Sequence, residues 1–205
     1  IGLILGMRRG EILGLRLEDI DWAAGHLSIS QALNQDYLPT ADGGWMTELG
    51  TSTPKTRHSR RDLSMPPSVR TAVLRLQNTR NDQRQMAGDD WEEAGFLFCS
   101  KNGKPFWPSN LTKRYQRLLK AAEVPQLSIH ALRHTFATVC FLNEIPAEQV
   151  QTAAGHSSIR TTKDMYANYI PQLATKAISA LSEVLDPDTD QRHLEVAKFD
   201  QRKGA

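Results

Sequence analysis

The segment of residues 130–166 constrains the chain most, because it places phosphate-handling side chains within helical patterns. It contains H-A-L-R-H at residues 130–134, G-H-S-S at residues 155–158 and T-T-K-D-M-Y at residues 161–166. Three histidines, two arginines and a tyrosine lie within these 37 residues. Arginines hold phosphate oxygens, imidazoles transfer protons, and a phenol is a nucleophile. The segment has neither a glycine-rich phosphate loop nor a carboxylate cluster for a metal, so phosphoryl transfer needs further groups from the rest of the chain.

The middle of the chain is basic, although the net charge of its 205 residues is only +2. Residues 51–134 contain 15 Lys and Arg against 7 Asp and Glu, whereas the sequence from residue 183 onwards has 6 acidic and 4 basic groups. This distribution suits a phosphate-binding surface and equally fits solvated helix faces. The length predicts one folded domain, residues 1–185, followed by a polar and mobile tail, residues 186–205.

The two cysteines, Cys99 and Cys140, lie in apolar settings and are expected to be buried thiols of a reducing compartment. Neither a membrane span nor a signal peptide is expected, because no apolar run approaches ~20 residues. These features favour a cytoplasmic protein. The chain starts without Met and in the middle of an apolar pattern, so it is expected to be a fragment of a longer protein.

Helical patterns dominate the chain. Pro67 suits the first turn of a helix, and Val69, Ala72, Val73 and Leu76 then form one apolar stripe. Further helices are predicted within residues 1–17, 109–120, 130–139, 145–154, 158–166 and 171–185. Predicted core positions on these helices include Leu111, Tyr115, Leu118, Leu119, Leu132, Phe136 and Val139. Gly155 is the expected C-terminal cap of the helix that ends near it.

Two segments near the N-terminus predict β-structure. Residues 26–32 alternate between polar and apolar side chains, which predicts a strand. Residues 53–66 predict two short strands around a turn near residues 55–59. Residues 34–50 and 81–93 are predicted to be loops. The fold class is therefore α+β, mostly helical, with a small three-stranded antiparallel sheet near the N-terminus.

Two groups of cations are candidates for phosphate contacts. The turn within residues 53–66 carries Lys55, Arg57, Arg60 and Arg61. A hairpin tip is too short to bury these charges, so their default partner is solvent, but their density favours phosphate. The predicted helix over residues 109–120 presents a basic face that either enters a DNA groove or is solvated. Its cations are Lys113, Arg114, Arg117 and Lys120.

The individual residues have ordinary structural explanations. His130 and His134 have the i, i+4 spacing of a helical zinc pair, but Ala131 replaces the glutamate of a zinc protease and Arg133 disfavours a bound cation, so no metal site is predicted. Residues 145–166 also fit a helix-turn-helix DNA-binding module. A tyrosine on a helix is commonly a packing residue, and an i, i+3 Arg–Glu pair is commonly a weak surface ion pair. The joint pattern is more specific than any one residue.

That joint pattern resembles the tyrosine recombinases, also called the phage integrase family. Five pieces occur in the order typical of the family. They are G-M-R-R-G-E (6–11), P-K-T-R-H-S-R-R (54–61), H-A-L-R-H (130–134), G-H-S-S-I-R-T-T (155–162) and Tyr166. The resemblance covers about residues 1–169 and implies the catalytic-domain fold of that family.

The resemblance implies that the protein breaks and rejoins DNA through a covalent 3′-phosphotyrosine, with no metal and no nucleotide cofactor. Tyr166 matches the nucleophile. Arg8 and Arg133 match the arginines that hold the non-bridging phosphate oxygens.

The same resemblance implies four supporting roles. Lys55 matches the general acid for the leaving 5′-oxygen, and His130 matches the residue that handles the tyrosine proton. His156 matches the position that hydrogen-bonds the phosphate, and Glu11 matches an acidic residue that orients a neighbour. Contacts with the DNA backbone are expected from Arg57, Arg60, Lys113, Arg114 and Arg117.

Three positions depart from the family pattern. Ala154 stands where leucine is common, and Asn168 stands where histidine is common two residues after the tyrosine. Tyr169 places a second phenol three residues after Tyr166, but the spacing from Gly155 favours Tyr166 as the nucleophile.

The implied partner is double-stranded DNA, bound by a homotetramer on paired sites in the full-length protein. Accessory DNA-bending or directionality proteins are further expected partners, and the origin implied is bacterial, phage or another mobile element. Two alternatives remain open. One is a type IB topoisomerase-like enzyme that relaxes DNA, and the other is a DNA-binding module without catalytic activity.

Overall fold

This computed structural model describes residues 1–53 and 60–156 with residues 158, 160 and 162. Five strands, five α-helices and two short 3-10 helices, Leu17–Asp19 and Gly88–Asp90, lie in this part of the chain. The strands are β1 (Ile20–Asp21), β2 (His26–Ile29), β3 (Ala32–Pro39), β4 (Trp45–Ser52) and β5 (Arg61–Ser64). The helices are α1 (Arg9–Gly14), α2 (Pro67–Ala87), α3 (Pro108–Ala121), α4 (Ala131–Leu142) and α5 (Ala147–Ala154). The predicted α+β class is confirmed.

Strands β1, β2 and β5 form an antiparallel sheet in that order, which confirms the predicted three-stranded sheet. Leu27 lies opposite Ile20 on one side and opposite Leu63 on the other, and all three side chains are buried. The sequence pattern predicts that the two strands within residues 53–66 pair with each other, but β5 pairs with β2. Pairing with β2 buries Leu63 of β5 against Leu27, and this burial favours β2 as the partner of β5.

Strands β3 and β4 form a separate hairpin, so the predicted loop over residues 34–50 is wrong. The pairing runs from Ala32 opposite Ser52 to Pro39 opposite Trp45. Tyr37 and Trp45, near the turn, are exposed. The outer half of the hairpin has no buried face, so its sequence lacks the alternation that reveals a strand.

The core lies between the three-stranded sheet and helices α1 and α2. Val69 and Val73 on α2 are fully buried, which confirms the predicted apolar stripe. Helix α2 continues to Ala87, so the predicted loop over residues 81–93 is wrong in its first part: these last turns are largely exposed and need no apolar stripe. Leu118 and Val139 are exposed, so their predicted core positions are also wrong. The main buried cluster comprises Leu5, Met7, Ile12, Leu15, Ile20, Leu27, Ile29, Leu63, Met65, Val69, Val73 and Leu97.

Helix α1 is shorter than the helix predicted for residues 1–17 because the chain turns at Gly6. Gly6 has a φ of 61°, a left-handed conformation that favours glycine. A Cβ atom there would lie 2.4 Å from Cδ1 of Phe136 on α4, so no larger residue fits. Arg8 follows in an extended conformation, and α1 begins after it. The close packing against α4 brings the start of the chain to the H-A-L-R-H motif.

Helix α5 ends at Gly155, whose φ of 70° and ψ of 42° are left-handed, and this confirms the predicted cap. The Gly155 amide donates to the Gln151 carbonyl at 2.8 Å. The later carbonyls of a helix have no intrahelical donor, so they are available to other groups. The predicted helices over residues 158–166 and 171–185 and the predicted tail at residues 186–205 lie outside the described part of the chain, apart from residues 158, 160 and 162.

Gly155→Ala is expected to destabilise the domain by about 1–3 kcal/mol, because alanine strains the left-handed backbone. A Cβ atom at this position would also lie 2.4 Å from Nη1 of Arg61. The free energy of unfolding in urea measures the loss. Gly43→Ala is the matched control, since Gly43 has a φ of 81° but nothing lies within 4 Å of its added Cβ. Equal losses in the two variants would contradict a steric role for Gly155.

Candidate active site

The end of α5 binds three arginines from distant parts of the chain. The carbonyls of residues 153–155 each accept a hydrogen bond from a different guanidinium. Arg61 Nε donates to the carbonyl of residue 153 at 2.8 Å, and Arg133 Nη1 donates to that of residue 154. Arg8 Nη2 donates to the carbonyl of residue 155 at 2.7 Å. Carbonyls at a helix C-terminus carry partial negative charge and favour cations. The helix end therefore gathers the two arginines of the predicted phosphate clamp and a third.

Glu11 is the buried anion of this cluster, with 4% of its surface exposed. It accepts bonds from the Arg8 backbone amide at 2.8 Å and from Arg8 Nη1 at 2.7 Å. Arg61 binds both carboxylate oxygens, at 3.2 and 3.0 Å. Burial favours the neutral acid, but the hydrogen bond and charge of Arg61 and the bonds from Arg8 hold the pKa of Glu11 below its usual value. The weak surface ion pair considered for Arg8 and Glu11 is therefore wrong, because Glu11 is buried.

Arg61 is the site residue that sequence reasoning missed. The density of cations in residues 53–66 favours a phosphate partner for Arg61, yet the Arg61 side chain is only 6% exposed and pairs with Glu11. A signal for this was present. Arg61 and Leu63 alternate along β5 and share a face of the strand, and Leu63 is buried. An arginine on the buried face of a strand predicts an internal anion, which is Glu11.

Arg133 lies at the centre of the cluster with 1% of its surface exposed. Its Nη1 donates to the Gly6 carbonyl at 2.8 Å and to the Ala154 carbonyl, and its Nε donates to His156 Nε2 at 3.1 Å. A guanidinium has five N–H groups, so two remain on Nη2. Nη2 is buried and has no hydrogen-bond partner within the described residues. Burial and the charge of Arg8 lower the pKa of Arg133 to about 9, so it is still charged at neutral pH.

His156 is 3% exposed, and both of its ring nitrogens bind groups of the protein. Nε2 lies against Arg133 Nε, and Nδ1 lies 2.8 Å from Thr162 Oγ1. Burial, followed by the charges of Arg133, Arg8 and Arg61, lowers the pKa of His156 to about 4. His156 is therefore neutral at physiological pH and leaves the positive charge of the site to the arginines.

His130 is the residue immediately before α4, and it is exposed. Its ring meets that of His134 edge to face, with centroids 4.9 Å apart. Partial burial and the charges of His134, Arg133 and Arg8 lower its pKa. A neutral imidazole at the edge of a cationic site is suited to accept a proton.

Four of the remaining predicted residues are not members of this hydrogen-bonded cluster. Arg60, Lys113, Arg114 and Arg117 are exposed and take no part in the hydrogen bonds described above. The other predicted residues, Lys55, Arg57 and Tyr166, lie outside the described part of the chain. Within the described ranges, no group of three or more His, Cys, Asp or Glu residues has the geometry to hold a metal ion. None of the helices described is long and apolar enough to cross a membrane.

The charges of the cluster favour an anion. Three guanidinium groups face one carboxylate, and His156 contributes no charge because it is neutral. Arginine binds phosphate oxygens with directional, charge-assisted hydrogen bonds. Arg8, whose side chain is 38% exposed, and Nη2 of Arg133 are the groups placed to supply such bonds.

Arg61→Gln is expected to lower the free energy of unfolding by about 3 kcal/mol, because it removes one partner of a buried ion pair. Chemical denaturation measures the change. Arg60→Gln alters the preceding, exposed arginine and is expected to stay within about 0.5 kcal/mol of the original protein. Similar losses in both variants would rule out a specific role for the buried pair.

Acid is expected to destabilise the domain through His156. Its pKa lies below the usual 6.5 in the folded state, so its contribution is complete above pH 6.5 and falls as the pH drops towards 4. Between pH 7 and pH 5 the loss is about 2 kcal/mol. His156→Gln should reduce this fall, whereas His26→Gln, at an exposed position of β2, should not. Urea titrations at both pH values make the comparison, and an unchanged pH dependence in His156→Gln would contradict it.

Comparisons with known proteins agree with the fold and with the family that the sequence resembles. The profile of the phage integrase family matches residues 1–172. A tyrosine recombinase XerC-like protein of Caldanaerobacter subterraneus subsp. tengcongensis is 31% identical over 182 residues, which cover 87% of this chain and 46% of that protein. An integrase of Streptomyces ambofaciens is 31% identical over 128 residues, which cover 60% of this chain and 33% of that protein.

Solved structures show the same similarity. The integrase of transposon Tn1549, in complex with transposon right end DNA, has a TM-score of 0.62 and 26% identity, covering 80% of this chain and 51% of that chain. XerA recombinase has a TM-score of 0.60 and 20% identity, covering 85% of this chain and 53% of that chain. At this low identity the similarity supports the fold alone. The chain spans about half the length of these structures, and a smaller share of the curated relatives. Because the family profile matches most of its residues, the chain belongs to the phage integrase, or tyrosine recombinase, family.

Proposed function

We propose that this chain is the catalytic domain of a site-specific DNA recombinase or integrase, which cuts and rejoins strands through a covalent 3′-phosphotyrosine. The observation that carries the proposal is the buried cationic cluster, in which Arg133 Nη2 keeps two N–H groups without a partner among the described residues. Family membership supports the reaction class, because tyrosine recombinases are DNA breaking-rejoining enzymes.

Arg8 and Arg133 bind the two non-bridging oxygens of the scissile phosphate. Negative charge on these oxygens increases in the transition state, so fixed cations lower its free energy more than that of the bound substrate. Glu11 holds one nitrogen of Arg8, and three hydrogen bonds hold Arg133. Because Arg133 is only 1% exposed, contact between Nη2 and a DNA phosphate requires that the site open when DNA binds.

Tyr166 attacks the phosphorus, and the 5′-oxygen of the DNA leaves. A phenol has a pKa of ~10, so attack near neutrality requires that its proton be removed. His130 accepts this proton, which its lowered pKa allows because the imidazole is then neutral at physiological pH. Lys55 donates a proton to the leaving oxygen. The phosphotyrosine retains the bond energy, and the reverse reaction with a new 5′-hydroxyl rejoins the strand.

The remaining partners follow from this chemistry. Double-stranded DNA is the substrate, and a homotetramer of the full-length protein on two paired sites exchanges the strands. Accessory proteins that bend DNA or set the direction of exchange act with it. The exposed cations Arg60, Lys113, Arg114 and Arg117, with Arg57, contact the DNA backbone.

Covalent trapping tests the proposal directly. The full-length protein is incubated with nicked duplexes whose sequence is randomised around the nick, so that the released fragment diffuses away and cleavage cannot reverse. The expected product is an adduct that resists denaturant. Tyr166→Phe should give no adduct, because it removes the attacking oxygen, whereas Tyr169→Phe should retain it.

Each other outcome has a definite meaning. DNA binding without any adduct would contradict the enzyme and favour a binding module. An adduct that survives in Tyr166→Phe would assign the nucleophile elsewhere, with Tyr169 tested next. Relaxation of supercoiled DNA that requires no paired sites would indicate topoisomerase-like activity instead of recombination.

A further inference from the structure

Arg8 and Arg61 connect the same two groups, the Glu11 carboxylate and the last carbonyls of α5. Arg8 donates through Nη1 to Glu11 Oε1 and through Nη2 to the Gly155 carbonyl, both at 2.7 Å. Arg61 donates through its two Nη atoms to Glu11, at 3.2 and 3.0 Å, and through Nε to the Ala153 carbonyl at 2.8 Å. Two guanidinium groups therefore bridge one carboxylate and one helix end.

The two bridges differ in their exposure. The Arg8 side chain is 38% exposed, whereas the Arg61 side chain is 6% exposed. Arg8 is therefore open to a phosphate from outside the protein. Arg61 uses Nε and both Nη atoms within the protein, so its contribution to the site is made through Glu11 and α5.

The backbone that carries Arg61 is better supported than the backbone that carries Glu11. Arg61 begins β5 and lies opposite Ile29 in the three-stranded sheet. Glu11 lies on α1, which has only six residues, and so short a helix depends on tertiary contacts for its position. The planar fork of an arginine fixes the plane of the carboxylate that it binds, which a lysine cannot do.

The charge of Arg61 acts in the same direction. Burial alone would raise the pKa of Glu11, and the hydrogen bond and charge of Arg61 are the largest effects that hold it below its usual value. Glu11 is therefore an ionised acceptor when it binds Arg8. Arg61 supplies the charge, the orientation and the connection to α5 that this acceptor needs.

We propose that Arg61 is a positioning residue for strand cleavage, which fixes Glu11 relative to the end of α5 so that both groups hold the Arg8 guanidinium towards the scissile phosphate. Without Arg61, the two anchors of Arg8 are no longer held at a fixed separation. The effect on cleavage rests on the proposed recombinase function, whereas the ordering of Arg8 is a property of the protein without DNA.

The ordering of Arg8 is measured first, without DNA. Nitrogen-15 relaxation of the arginine Nε–H groups in the full-length protein reports how rigid each guanidinium is, and Arg8→Lys identifies the Arg8 signal. Arg8 should be rigid in the original protein and mobile in Arg61→Gln. An Arg8 signal that stays equally rigid in Arg61→Gln would overturn the inference.

Arg80→Gln is the matched control, because it also removes a buried arginine from an ion pair. Arg80 is 4% exposed, pairs with Glu93 and donates to the Phe96 carbonyl at 3.2 Å, so its bonds lie outside the cluster. This variant should lower the stability of the domain but leave Arg8 rigid. Increased mobility of Arg8 in Arg80→Gln would show that general destabilisation is sufficient, and it would contradict a specific role for Arg61.

Cleavage is measured next in single turnover at saturating protein, on one trapping duplex selected from the adducts of the original protein. Loss of folded protein lowers the amount of adduct, whereas loss of positioning lowers the rate constant. Arg61→Gln should lower the rate constant about 10- to 100-fold, because a displacement of ~1 Å in an active site can cost ~100-fold. Arg80→Gln should leave the rate constant unchanged. An unchanged rate constant in Arg61→Gln would overturn the inference.

Two further variants separate positioning from charge. Arg61→Lys keeps the charge but loses the fork, so it should restore stability more than the rate constant, and full recovery of the rate would overturn the positioning role. The double variant Glu11→Gln with Arg61→Gln should lose much less than the product of the two single losses, because Arg61 acts through Glu11. Independent, multiplicative losses would contradict this. If the original protein forms no adduct, the proposed function fails, but the relaxation data still decide whether Arg61 orders Arg8.

Discussion

The hydrogen bonds between three arginines and the last carbonyls of α5 are the interaction on which the rest of the site depends. Helix termini leave their final carbonyls without intrahelical donors, and the helix dipole makes that end negative. Arg8, Arg61 and Arg133 use these carbonyls, although up to 147 residues of sequence separate donor and acceptor. Gly155 makes this possible, because its left-handed backbone ends the helix and its missing side chain leaves space for Arg61.

Three guanidinium groups in one place repel each other, and Glu11 offsets only part of that charge. The carboxylate stabilises Arg8 and Arg61 through paired bonds, whereas Arg133 relies on neutral acceptors, namely two carbonyls and His156. Burial lowers the pKa values of Arg133 and His156, and the surrounding excess of positive charge lowers them further. A site that is net cationic and partly unpaired is less stable without an anion, and the anion that the proposed function would bring is a DNA phosphate.

The predictions succeeded where a signal was local. The stripe of Val69 and Val73 repeats at the helical period, and Gly155 is a strong helix terminator, so the first turns of α2 and the end of α5 were predictable. They failed where the deciding contact was distant. The β3–β4 hairpin lacks a buried outer face, and Gly6 turns the chain away from a helix because it packs against Phe136.

The sequence by itself determined the helical periods, the α+β class, the glycine cap and the family to which the chain belongs. These properties depend on residue type and spacing, which are read along the chain. Only the tertiary structure decided that Arg61 is buried against Glu11 and that Thr162 contacts His156. It also decided that Nη2 is the one nitrogen of Arg133 without a hydrogen-bond partner among the described residues. The physical reason is that hydrogen bonds between remote residues depend on how the elements pack, and the same arginine is a solvated cation or a buried ion-pair partner according to that packing.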